Sequence, residues 1–144
     1  MKKIAALATA SIATVSLLAG TSAPAQAADW NTRVKCEGTD PGGRKIPTRF
    51  GNSELGWNHF SRPHKIRTCK AVNAAISDNV EEKDDNRFEY WTDMKNGSKY
   101  VRVVVIAQYS RRTLDKKYDA GAGQKIGVIT AYCKGLDTCP PWVN

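Results

Sequence analysis

Two histidines, His59 and His64, stand five residues apart in Gly56-Trp57-Asn58-His59-Phe60-Ser61-Arg62-Pro63-His64, and the sequence holds no others. An imidazole exchanges a proton near neutral pH, so two in one segment can act as base and acid across a single reacting phosphate. Arg62, Lys65, Arg67 and Lys70 add positive charge that favours an anion there. A paired-histidine metal site is disfavoured, because the H-x-x-x-H spacing of one helix face is absent and Pro63 intervenes. If a helix opens at Pro63, His64 stands at the positive end of its dipole, which suits a ring that is to accept a proton. Late in the chain, Thr130 can donate to a phosphate oxygen, and Tyr132 can stack on a base or position a phosphate. The same two residues are also ordinary strand formers. No G-x-S-x-G, P-loop or dinucleotide fingerprint is present.

The elements that must position these groups follow from patterning. Asp40-Pro41-Gly42-Gly43 and Pro47 read as turn residues, so residues 28–50 are expected to form an irregular arm, with a short strand at Asn31 to Cys36. Gly51 to Phe60 is expected to hold a short helix capped by Asn52 or Ser53. A better helix is expected from Pro63 to Asn79, with Ile66, Cys69, Val72 and Ile76 on one face. The acidic stretch Asp78 to Asp85 reads as a solvated loop. Phe88, Tyr90 and Thr92 alternate with Glu89, Trp91 and Asp93 as a strand. Asn96-Gly97 signals a tight hairpin into a central strand, Lys99 to Tyr109. Ser110 to Gln124 is a long loop bearing Arg111, Arg112, Lys116 and Lys117. In the last strand, Lys125 to Cys133, the alternation places Ile126, Val128, Thr130 and Tyr132 on one face. Trp57 and Trp91 read as core or core edge. The expected fold is α+β: a short N-terminal helical region packed on a small antiparallel sheet, stapled by disulfides.

Length and composition bound what this can be. The 144 residues allow one domain plus a processing segment, and 41% hydrophobic with 25% charged residues excludes wholesale disorder. Residues 1–27 read as a secretory signal peptide: Lys2 and Lys3, an uncharged apolar run from Ile4 to Leu18, and Ala25-Gln26-Ala27 before a cut at Ala28. The apolar run is shorter than the roughly 18 residues of a membrane span. Removing Lys2 and Lys3 from the 22 basic residues leaves 20 against 14 acidic ones, a mature charge of +6 that points to an anionic partner. The four cysteines of an exported chain imply disulfides. Three pairings exist, of which Cys133–Cys139 and Cys36–Cys69 are favoured, and zinc-ligand spacing is lacking.

The segment Gly56-Trp57-x-His59-Phe60-x-x-x-His64, followed by a helix, a hairpin and a last strand ending Ile129-Thr130-Ala131-Tyr132, resembles the barnase–EndoU–colicin–RelE superfamily of small ribonucleases. Within it the chain is most similar to EndoU-like bacterial toxin domains. The resemblance spans Gly51 to Tyr132 and implies a catalytic domain over 51–144, after the leader (1–27) and the arm (28–50). It implies a secreted endoribonuclease that needs no metal or other cofactor and cuts by attack of the 2′-hydroxyl, leaving a 2′,3′-cyclic phosphate. His59 and His64 would transfer protons with Thr130 beside them, and Tyr132, Lys65, Arg67 and Arg102 would contact RNA. The family's lysine is not assigned: Lys65, Lys99 and Lys125 are candidates, and Arg67 or Arg102 could substitute. This sequence departs from the pattern at Phe60, at Pro63 and in its cysteines. The implied partners are RNA and an immunity or inhibitor protein, for a monomer that does not insert into membranes. The competing expectation is a secreted cationic binding module working through Ser110 to Gln124.

Overall fold

Asp40-Pro41-Gly42-Gly43 reverses the chain between two antiparallel strands, β1 (Asn31–Thr39) and β2 (Lys45–Gly51), in a computed structural model that describes residues 27–144. The expected leader therefore lies outside the described residues, apart from Ala27. The hairpin corrects the irregular arm expected over 28–50. In β2, Ile46, Pro47, Thr48 and Arg49 are all buried, a run that hydrophobic alternation does not announce. Arg49 is accommodated by donating to the Lys125 carbonyl at 2.9 Å, to Gln124 Oε1 at 3.1 Å and to the Thr32 carbonyl. Ile46 belongs to the main core, so the hairpin is part of the same body.

The helices are shorter than expected. α1 is a single turn (Trp57–Phe60) with Gly56 at its cap position, and α2 spans Cys69–Ile76. Pro63 lies in a turn, and Lys65 takes φ 54°, which a continuous helix from Pro63 could not contain. α2 buries Ala71, Val72, Ala75 and Ile76, the i, i+1, i+4, i+5 stripe of an amphipathic helix.

A four-stranded antiparallel sheet follows, in the order β3 (Asn79–Glu82), β4 (Arg87–Asn96), β5 (Lys99–Gln108), β6 (Gly127–Cys133). β3 falls inside the acidic stretch expected to be loop, and its exposed Glu81 and Glu82 put charge on a sheet edge. Asn96-Gly97 makes the β4–β5 turn, with Asn96 opposite Lys99 and Gly97 at φ 60°. β5 is central, as its apolar character requires. One sheet face carries Phe88, Tyr90, Val101, Val103, Val105 and Ala107 into a core shared with α2, Ile46 and Phe60. A smaller cluster of Leu55, Tyr118, Ala120 and Ile126 is packed by Trp30. The architecture is α+β in the broad sense: mostly small antiparallel sheets with few helices. Disulfides join Cys36 to Cys69, tying β1 to α2, and Cys133 to Cys139.

One buried polar network spans hairpin and sheet. Asp40 accepts from Arg44 N at 2.9 Å, Arg44 Nε at 2.7 Å and the Tyr90 hydroxyl at 2.9 Å, while the Arg44 guanidinium lies 4.1 Å from the Phe88 ring centre. Burial pushes the Asp40 carboxyl up, but the donors from Arg44 and Tyr90 outweigh it and hold the group below its ordinary value. Its contribution to stability is therefore complete above the unfolded carboxylate range and is lost as pH falls below about 4. Asp40→Ala should cost about 3 kcal/mol in urea unfolding, because it strands a buried hydroxyl and a guanidinium. Asp40→Asn should cost less and flatten the acid limb of the stability curve. An unchanged urea midpoint for Asp40→Ala would show that the network holds nothing.

Candidate active site

Asn52 begins the segment that carries the first histidine. Its Oδ1 accepts from Glu54 N at 2.8 Å and Leu55 N at 3.2 Å, turning the Ser53 carbonyl toward α1. Gly56 then takes φ 79°, and a Cβ there would sit 2.7 Å from the Arg49 carbonyl, so only glycine fits. Gly56 N donates to the Ile129 carbonyl at 2.9 Å, which seats α1 against β6. His59 stands in that turn, half-buried, with Nδ1 2.8 Å from the Ser53 carbonyl. A carbonyl only accepts, so Nδ1 carries the proton and Nε2 of the neutral ring keeps its lone pair.

His64 is held in the same way by a different element. Its N–H donates to Phe60 O at 3.1 Å, and its carbonyl accepts from Cys139 N at 2.9 Å. Its Nδ1 lies 3.2 Å from the Asp137 carbonyl, fixing the same tautomer as in His59. Neither Nε2 has a hydrogen-bond partner among the described residues. Asn144 braces the segment by donating to Lys65 O at 3.1 Å and accepting from Arg67 N. The expected helix dipole at His64 is absent, because α2 starts five residues later. Main-chain carbonyls orient both rings instead.

Tyr132 meets His64 with ring centres 6.1 Å apart. Thr130 and Tyr132 lie opposite Ile106 and Val104 on the sheet face away from α2, whereas Ala131 and Cys133 face the core. The expected grouping of Val128 with Thr130 and Tyr132 is corrected. A bulge at Ile129 inserts one residue between Val128 and Thr130, and Val128 turns into the core opposite Ala107. Glu89, also opposite Ile106, shares the outer face and was missed as a site residue. Alternation placed it outward with Trp91 and Asp93, but only the strand order brings it across from Thr130. Burial pushes the Tyr132 phenol up, and the Glu89 charge pushes it the same way.

The cations divide into paired and unpaired. Arg102 is gripped by Asp93 through two contacts of 2.8 Å. Arg111 and Arg112 both bind Asp119, at 2.7 and 2.8 Å, and with Gly121 N they hold its carboxyl far below the usual range. Lys117 reaches Glu54 at 2.6 Å. Lys125 Nζ sits 4.7 Å over the Tyr109 ring, and Lys99 is exposed beside the hairpin turn. Lys65 is exposed next to His64, and Arg67 lines a groove with Lys35, Trp57, Ser61 and Arg62. Trp57 packs at the core edge as expected, but Trp91 lies half-buried on the outer face opposite Val104. Trp142 packs back against the core.

Among the described residues, no group of three His, Cys, Asp or Glu side chains is placed to hold a metal ion, and no helix is long and apolar enough to cross a membrane. No family model, curated protein or solved structure matches the chain.

Proposed function

We propose that this protein is an exported, EndoU-like endoribonuclease that cleaves RNA by transphosphorylation without a metal ion. The observation that carries the reading is the shared tautomer of His59 and His64, each fixed at Nδ1 by a backbone carbonyl and each left with an unpartnered Nε2, in a segment seated on β6 through the Gly56–Ile129 hydrogen bond and the His64–Tyr132 contact. One neutral imidazole removes the 2′-hydroxyl proton as that oxygen attacks phosphorus. The other, protonated, delivers its proton to the departing 5′-oxygen. The products are a 2′,3′-cyclic phosphate and a 5′-hydroxyl, and the two rings exchange protonation states. The Thr130 hydroxyl donates to a non-bridging oxygen, and Tyr132 orients the phosphate or a base next to His64. Export by the expected leader would carry the chain to an oxidising compartment, where its two disulfides persist. An immunity or inhibitor protein is the expected second partner. The competing cationic-module reading loses support because Arg111, Arg112 and Lys117 of its loop are ion-paired.

The deciding experiment is digestion of RNA by the mature protein in excess EDTA, with analysis of product ends. Cyclic phosphate and 5′-hydroxyl termini are expected. No cleavage, or 5′-phosphate ends, would overturn the proposal. Within the active protein, Thr130→Val should lower kcat about 10²-fold, the usual cost of one donor aimed at developing charge. Single-turnover cleavage at wild-type speed would remove Thr130 from the site.

A further inference from the structure

Between β1 and the turn that follows α1 runs a groove of about 560 Å³, lined by Lys35, Trp57, Ser61, Arg62 and Arg67. Its cations come from separate parts of the chain: Lys35 from β1, Arg62 from between the histidines, and Arg67 from the approach to α2. None of the three has a carboxylate within ion-pair distance among the described residues, whereas Arg44, Arg102, Arg111 and Arg112 are each held by an aspartate. Three like charges gathered on one concavity repel one another, and their convergence is offset only when an anion joins them.

Trp57 shows how the arrangement is kept. Lys35 Nζ lies 4.5 Å over its indole, whose other contacts include an edge-on Phe60 at 5.4 Å. The ring fixes the ammonium in place without neutralising it, leaving its N–H groups to a ligand. Arg62 also lines a second cavity of about 330 Å³ with Asn52, Ser53 and Asn58, the loop whose Ser53 carbonyl orients His59. Arg62 is thus common to the two cavities and links the groove to the loop that holds His59. A partner protein would need an apolar anchor in such a groove, and its one aromatic ring is already covered by Lys35.

Resting on the ribonuclease reading, we propose that this groove is a phosphate subsite for single-stranded RNA flanking the scissile bond, with Lys35, Arg62 and Arg67 contacting the backbone. The test uses the mature chain and a short single-stranded RNA, in two arms. In the first, the non-cleaving His59→Ala/His64→Ala protein is titrated with the RNA across a salt series. Adding Lys35→Ala, Arg62→Ala and Arg67→Ala should weaken binding at least tenfold and reduce the slope of log K against log salt by about 2, close to 0.7 per lost cation. In the second, the triple substitution in the active protein should raise KM by more than it lowers kcat. Lys45→Ala/Lys95→Ala should leave binding unchanged, and near-ultraviolet dichroism reports that each variant is folded. Unchanged slope and KM in the triple variant overturn the subsite even if the protein cuts RNA. A wild type that cuts nothing, yet binds RNA with a slope the triple variant reduces, overturns the nuclease reading and keeps the subsite. If the triple variant binds RNA normally but loses binding to poly-glutamate, the groove serves an acidic protein and the proposal fails.

Discussion

Replacing His59 or His64 by alanine should lower the RNA-cleavage rate at least ~10²-fold each, with thermal unfolding little changed. Both rings are half-buried at the surface, and neither belongs to the core clusters, so truncation opens no cavity. What is lost is proton transfer at a fixed nitrogen. Because each ring presents Nε2 with Nδ1 tied to a carbonyl, the two are chemically alike, and their roles must be separated kinetically. The double variant should fall no further than the worse single one, because base and acid act in one step. Wild-type cleavage by the double variant would sink the mechanism.

The second large effect concerns the C-terminal clip. His64 depends on two main-chain contacts from inside the loop closed by Cys133 and Cys139, which are six residues apart: the Asp137 carbonyl and the Cys139 N–H. Opening that loop by Cys133→Ser/Cys139→Ser should cost only about 2 kcal/mol of stability, since the closed loop is short. Activity should nevertheless fall about 10²-fold, because a misplacement of an ångström at a reacting group costs that much. The Cys36–Cys69 bridge closes a separation of 33 residues and encloses neither the Asp137 carbonyl nor the Cys139 N–H that hold His64. Removing it should cost about 3–4 kcal/mol yet spare the kcat, at saturating RNA, of the molecules that remain folded. Measuring turnover per folded molecule separates the two. The same logic predicts an inactive reduced chain, and strong RNA cleavage in full reducing agent would contradict it.

Residues whose local signals agreed with their tertiary setting were legible in the sequence. Asn96-Gly97 marked its hairpin, the valines of β5 marked a central strand, and the even cysteine count favoured the two bridges observed. The candidate segment 56–64 was visible from its residue types alone. Other features failed for identifiable reasons. β2 hides as Pro47-Thr48-Arg49 because its burial is satisfied by long-range bonds from Arg49 to Thr32, Gln124 and Lys125. The helix expected at Pro63 starts at Cys69 because Lys65 leaves the helical region and the backbone there bonds to Cys139 and Asn144 instead. β3 is acidic and exposed, so its pairing with β4 carries no hydrophobic signature. Glu89 could be placed on a face from alternation but not across from Thr130, since that requires the strand order.

The extra residue at Ile129 has a bearing on which changes this strand can survive. It works as a phase shifter, sending Val128 to one side and Thr130 with Tyr132 to the other. Deleting it would leave an unbroken ladder with Val128 still opposite Ala107 and Thr130 still opposite Ile106, so both faces would survive, but the carbonyl that accepts from Gly56 N and seats α1 would go. Single exchanges at neighbouring positions keep that carbonyl, whereas a deletion here removes it. Drift within β6 is therefore expected to alter letters while preserving the count between Gly127 and Cys133.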